Sequence, residues 1–151
     1  ESNEEGLRYR SLKIAALQRT LRCPPVYGED TGDLLVIGWG STKGAIEEAV
    51  DRLRADGTRV SSLHLRFIQP MPSGIGEIMK RFARVMTVES NWSDPSDHPL
   101  IDDENRRYSA LAMLLRARYL VDVDCWSQVR GAPIKPGTLC QVISEKIATL
   151  R

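Results

Sequence analysis

Gly38-Trp39-Gly40-Ser41-Thr42-Lys43-Gly44 brings small residues, two hydroxyls and an amine together where an apolar run gives way to helical spacing. Backbone N–H groups at such a helix start can hold an anion, with Gly40, Ser41 and Thr42 as the contacting residues. A tight turn without a ligand is the simpler reading, since glycine permits angles and close approaches that other residues resist. The spacing is neither G-x-x-x-x-G-K-[ST] nor G-x-G-x-x-G. His98 stands among Asp94, Asp97, Asp102, Asp103 and Glu104, yet their order fits no EF-hand loop, and the stretch reads as a solvated acidic loop. His64 has no carboxylate or serine at a nucleophile's spacing, and neither HExxH nor a nucleophile elbow occurs. Cys23, Cys125 and Cys140 form no CxxC pair, so this chain alone is expected to carry no iron–sulfur or zinc site. Free thiols of this kind suit a reducing cytoplasm. No catalytic residue and no metal ligand is assigned.

The elements that position these residues follow from periodicity. Leu34 to Ile37 is too short for a helix and has no polar alternation, so it reads as a strand buried on both faces. Ser41 or Thr42 is expected to cap the next helix, whose buried stripe is Ile46, Ala49, Val50 and Leu53. Glu48 and Arg52 stand four apart on its exposed side, and Gly57 closes it. In the strand from Arg59 to Ile68, Leu63, Leu65 and Phe67 alternate with Ser62, His64 and Arg66, giving one apolar and one polar face. A helix capped by Ser73 is expected to bury Ile75, Ile78, Met79 and Phe82. Val85 to Val88 is another buried strand, leading to Glu89-Ser90-Asn91. A further helix starts near Arg106 with Leu111, Leu114 and Leu115 inward. Val121, Val123 and Cys125 mark a half-exposed edge strand, and Leu139, Val142, Ile143, Ile147 and Leu150 a closing helix. Ahead of all this, residues 1–5 are expected to fray. Residues 6–22 form a basic helix, which proline stops after Cys23.

At 151 residues, 42% hydrophobic and 27% charged, the chain suits one globular domain with a real core. Its formal charge of +1 argues against a strongly electrostatic nucleic-acid binder. No apolar run approaches the ~20 residues a membrane span needs, and no signal peptide is visible. A start at Glu1 without Met is expected of an excised fragment or a processed product.

Three stretches in order then suggest a family: Gly38 to Gly44, Leu65-Arg66-Phe67-Ile68-Gln69-Pro70-Met71-Pro72, and Val88-Glu89-Ser90-Asn91. They resemble the C-terminal part of the alpha subunit of 2-oxoacid:ferredoxin oxidoreductases, the 2-oxoglutarate members most closely. Ala110 to Arg116 is similar to that family's next helix, and Gly131-Ala132-Pro133-Ile134 to its closing loop. The resemblance runs from about residue 30 to 150. Two departures accompany it. Residues 92–107 stand as an insertion, and Tyr108-Ser109 replaces an expected Gly-Gln pair.

The resemblance implies a three-layer α/β/α fold like the transketolase C-terminal domain, with a mixed five-stranded sheet. The strands are expected at 26–28, 34–38, 60–66, 85–89 and 121–126, in the order 1-3-2-4-5, with the first antiparallel. Residues 1–25 would be a helical segment or linker, and 26–151 the domain. The whole enzyme would oxidatively decarboxylate a 2-oxoacid, 2-oxoglutarate above all, to acyl-CoA and pass electrons to ferredoxin. Thiamine diphosphate, magnesium and an iron–sulfur cluster are expected in the complete enzyme and not in this fragment, which would be inactive alone. Its partners would be the other alpha-subunit domains and a thiamine-diphosphate-binding beta subunit, with neither nucleic acid nor membrane, in the cytoplasm. The domain's part would be assembly, active-site walls and coenzyme A access. Trp39, Glu89 and Asn91 are structural or interface candidates, and the strand order would set Glu89 to brace the glycine turn. Two other readings stay open: a free-standing nucleotide- or phosphate-binding α/β module using the glycine turn, and an interface domain without a ligand.

Residues 92–105 are polar and broken by two prolines, with too few apolar side chains to offset the ~1–2 kcal/mol per residue of backbone ordering. They are expected to be the most mobile internal segment, with fast amide exchange. Slow exchange across Ser93 to Asp103 contradicts this.

Overall fold

A computed structural model describes residues 2–149. Ser2 Oγ accepts a hydrogen bond from the Glu5 amide at 3.2 Å and so starts α1 (Asn3–Thr20) earlier than the polar composition of residues 1–5 suggested. No residue of α1 is buried. Near the helix's end Gln18 Nε2 donates to the Met71 carbonyl at 2.9 Å, which ties it to the body.

The chain then alternates strands and helices: β1 (Val26–Tyr27), β2 (Gly32–Trp39), α2 (Lys43–Ala55), β3 (Val60–Leu65), α3 (Ile75–Met79), β4 (Phe82–Glu89), α4 (Ala110–Tyr119), β5 (Val123–Ser127) and α5 (Pro136–Ala148). The sheet order is β1-β3-β2-β4-β5. Only β1 runs antiparallel; its neighbour is β3. Five strands in this order, with helices on both faces, make the expected fold.

Strand parity divides the core. Leu35, Ile37, Leu63, Leu65, Val85 and Val123 face α3 and α4, packing with Met71, Ile75, Met79, Leu111 and Leu115. Leu34, Val36, Val60, Met86 and Val88 face α2 and α5, packing with Ile46, Ala49, Val50, Leu53, Leu139 and Ile143. A strand covered on both sides is apolar throughout, which is why Leu34 to Ile37 shows no alternation.

Several expectations are corrected. Phe82 opens β4, where it pairs with Gly32, so α3 is a shorter helix whose stripe ends at Met79. Gly74, at φ 92°, rather than Ser73 stands at the N-cap of α3. The polar side of β3 is covered too, with Ser62 buried, and on the opposite side Ser61, also buried, donates from Oγ to the Glu29 carbonyl at 2.8 Å. The helix expected from Arg106 begins at Ala110. Leu150, expected on the last helix, lies outside the described residues. Gly57 does close α2, at φ 84°, and Arg52 meets Glu48 at 2.5 Å on its exposed side.

Gly38 is needed for packing between sheet and helix. A Cβ there would stand 2.3 Å from Ile46 Cδ1 and 2.6 Å from Thr42 Oγ1. Gly38→Ala is therefore expected to lower unfolding free energy by about 1–3 kcal/mol in urea titration. An unchanged midpoint and slope would show that α2 yields freely.

Candidate functional site

The carboxyl ends of β2, β3 and β4 gather the candidate residues. Opposite Val88 of β4 in the parallel register is Gly38 of β2, so the glycine turn and Glu89-Ser90-Asn91 leave the sheet side by side. Such an edge is where open α/β sheets commonly place ligands.

The turn itself is closed on its own contacts. Gly40 takes a left-handed φ of 61° and opens a single 3-10 turn, Gly40–Thr42, before α2. Thr42 is buried, and its Oγ1 donates to the Trp39 carbonyl at 2.9 Å. Neither Ser41 nor Thr42 caps α2 with its side chain, contrary to expectation, because the extra 3-10 turn carries the chain into the helix instead. Ser41 is exposed and Trp39 is 40% exposed. Of the candidate anion ligands, Gly40, Ser41 and Thr42, the one buried hydroxyl is thus already committed.

Glu89 does not brace that turn. Counting along β4, Glu89 shares its side of the sheet with Val85 and Thr87, toward α4, while the glycine turn feeds α2 on the other side. Its carboxylate, fully buried, accepts from Ser109 Oγ at 2.5 Å and Thr87 Oγ1 at 2.8 Å. It also accepts from the amides of Leu111 at 2.9 Å and Ala112 at 3.1 Å. Those amides belong to the first turn of α4, which has no intrahelical acceptor for them. Ser109, at the N-cap, makes no side-chain cap bond to the helix. A side chain from β4 therefore caps α4 from across the sheet. Asn91 is half-buried just beyond, its Oδ1 without a partner.

Residues 92–107 leave and rejoin the fold through a clasp that sequence reasoning missed. Asp94 is buried, and Arg107 grips it with Nε at 2.9 Å and Nη2 at 2.8 Å, while its own amide adds a bond of 2.9 Å. Trp92 Nε1 donates to the same carboxylate at 3.1 Å. These bonds, led by the Arg107 side chain, hold the Asp94 pKa far below its ordinary value. Next to the clasp, Arg106 Nη1 reaches Asp124 at 3.2 Å and Nη2 the Cys125 carbonyl at 3.3 Å, along edge strand β5. Burial works to raise the Asp124 pKa, but bonds from Lys146 and the Cys125 amide, with the charge of Arg106, hold it below normal. Tyr108 lies between two guanidinium groups, Arg106 at 4.7 Å and Arg116 at 4.4 Å from its ring centre. The unusual Tyr108-Ser109 pair thus carries two contacts that position α4. Asp94 and Arg107, thirteen residues apart with opposite charge, were the available signal for the clasp.

Residues 32–121 match the family described as pyruvate:ferredoxin oxidoreductase core domain II. The chain belongs to this family. The 2-oxoglutarate oxidoreductase subunit KorA of Mycobacterium tuberculosis is 39% identical over 128 residues, which cover 83% of this chain and 16% of that protein. The alpha subunit of 2-oxoacid:ferredoxin oxidoreductase 1 of Aeropyrum pernix is 41% identical over 69 residues, 44% of this chain and 11% of that protein. This core domain II chain thus spans about a sixth of KorA and less of the Aeropyrum subunit. Among solved structures it resembles the 2-oxoglutarate:ferredoxin oxidoreductase of Magnetococcus marinus, which holds 2-oxoglutarate, coenzyme A and succinyl-CoA. There the TM-score is 0.76 at 24% identity, over 95% of this chain and 23% of that one. A split-gene transketolase, an inactive beta4 tetramer, gives a TM-score of 0.57 at 17% identity over 87% of this chain and 44% of that one. Both likenesses concern the fold, and the second bears out its transketolase character.

Two outcomes are expected from the core domain II geometry. Glu89→Gln keeps the shape but sets an amide N–H₂ against donors, and should lower unfolding free energy by about 1–3 kcal/mol in denaturant titration; an equal stability refutes the capping role. For Asp94, a folded pKa below the ordinary 3.8 means that the clasp stabilises fully above that value and is lost as pH falls through the folded pKa. The stability gap between the protein and Asp94→Asn should therefore be constant near neutrality and close in acid. A gap that widens on acidification contradicts the assignment.

Proposed function

We propose that the chain is the C-terminal domain of the alpha subunit of a 2-oxoacid:ferredoxin oxidoreductase acting on 2-oxoglutarate. The observation that carries this is the 39% identity to KorA across 128 residues. The whole enzyme would convert the 2-oxoacid and coenzyme A to acyl-CoA and carbon dioxide, with two electrons passed to ferredoxin. The domain would supply a wall and an assembly surface at the carboxyl edge of the sheet, where Trp39 and Asn91 emerge and Glu89 fixes the framework from within. On this reading residues 1–25 link to a preceding domain, and 26–151 form the domain proper with 92–107 inserted. Free thiols at Cys23, Cys125 and Cys140 accord with a cytoplasmic place.

Thiamine diphosphate with magnesium and an iron–sulfur cluster would belong to the complete enzyme, and the three cysteines of this chain do not fit the cluster. A cluster takes several thiolates at one point. Here Cys125 is buried under Arg106 on β5, Cys140 donates to the Ala49 carbonyl on the α2 side, and Cys23 is exposed beside Gly74. Among the described residues no three His, Cys, Asp or Glu side chains stand together as metal ligands. Other domains, and a thiamine-diphosphate-binding beta subunit, would hold these groups. The glycine turn gives little support to the alternative of a free-standing nucleotide- or phosphate-binding module at that turn, since Thr42 Oγ1 is spent on Trp39.

The test is to purify the intact protein with its co-purifying subunits and follow reduction of ferredoxin. Reduction that needs both coenzyme A and a 2-oxoacid, faster with 2-oxoglutarate than with pyruvate, is expected. A protein that purifies alone and reduces nothing with any 2-oxoacid would overturn the reading.

A further inference from the structure

A cavity of about 630 Å³ lies off the glycine turn on the β1 side of the sheet. The segment from Leu21 to Tyr27 forms one wall; Lys43 and Glu47 of α2, and His64, Arg66 and Phe67 at the end of β3, form the rest. We propose that this cavity binds an aromatic organic phosphate of mononucleotide size.

Charge selects the anion. Arg22, Lys43 and Arg66 line the cavity against a single carboxylate, Glu47. Lys43 Nζ stands 3.6 Å from Glu47, while among the described residues neither Arg22 nor Arg66 pairs with an acid. Guanidinium groups present a planar fork that matches phosphate oxygens. His64 registers the same field. Burial lowers its pKa first, and the charges of Lys43 and Arg66 add to that against the pull of Glu47. The ring lines the cavity, while its Nδ1 is buried away from solvent without a partner.

Shape selects the ring. Tyr27 is 38% exposed and Phe67 45%, two aromatic faces on a wall that prolines otherwise stiffen. The Tyr27 hydroxyl is held by the Asp51 carboxylate at 3.0 and 2.9 Å, which fixes that ring without using its face. A planar base can stack there while its phosphate meets the cations. The volume lies within the range of about 300–1,000 Å³ usual for small-molecule sites.

An azido-substituted ADP, photolysed on the intact protein and traced by mass spectrometry, locates binding directly. Label is expected within residues 21–27 or 64–72, competed by ADP. Label only elsewhere overturns the site. Calorimetric titration then separates the contributions: ADP should bind saturably, with adenosine and inorganic phosphate each at least about tenfold weaker. Phosphate as tight as ADP overturns the aromatic half of the assignment. Arg66→Gln and Lys43→Gln alter exposed residues, so the fold should survive, as circular dichroism checks. Each should weaken ADP binding at least about fivefold and flatten its salt dependence. Affinity unchanged in both variants overturns the proposal.

Discussion

A carboxylate held entirely out of water, with no cation beside it among the described residues, is costly unless every lone pair is met. Glu89 is supplied with four donors, two hydroxyls and the Ala112 amide on Oε1 and the Leu111 amide on Oε2. The partial positive charge at a helix N-terminus adds to the stabilisation. Because the residue ends β4 and its partners begin α4, the bond set fixes where α4 lies on the sheet. It also fixes the ends of the intervening residues 90–109. Gln128 extends the tie to the next strand, its amide donating to the Glu89 carbonyl at 3.1 Å. The edge strand, the inserted segment and α4 are thereby all referred to one residue.

The two faces of the sheet are built differently around that point. On the α2 and α5 side, close approach is the device: glycine at position 38 lets Ile46 and Thr42 sit against the strand. On the α4 side, polar bonds set the geometry, with Glu89 at its centre. The Asp94–Arg107 clasp then closes the inserted segment at its neck, and Arg106 runs along β5, donating to an edge carbonyl that an approaching strand would otherwise take. An exposed acidic loop is compatible with a rigid domain when its base is tied in this way.

Much of this was legible in the residues. The buried run Leu34 to Ile37, the stripe Ile46, Ala49, Val50 and Leu53, and the family resemblance together gave the strand order and the layers. What escaped was anything decided by which face a helix covers. The alternation of Val85, Thr87 and Glu89 with Met86 and Val88 stated that Glu89 shares a side with the first two. It did not state that α2 occupies the other side, and the expected brace failed on that missing fact. Phe82 continues the helical spacing of Ile75, Ile78 and Met79, so periodicity alone assigned it to the helix; its pairing with Gly32 is a long-range contact. Asp94 and Arg107 carry opposite charges among many such pairs, and only the loop's closure picks them as partners. The basic, partly apolar α1 gave no sign that none of its residues would be buried.

Hydrogen exchange at two amides measures directly whether Glu89 caps α4. Amides in the first turn of a helix lack backbone acceptors and ordinarily exchange early. Leu111 and Ala112 should instead be protected as strongly as the amides at the centre of β4, exchanging only when the whole domain unfolds. If they exchange at the rate of free first-turn amides while β4 stays protected, the cap does not exist and the placement of α4 has another cause.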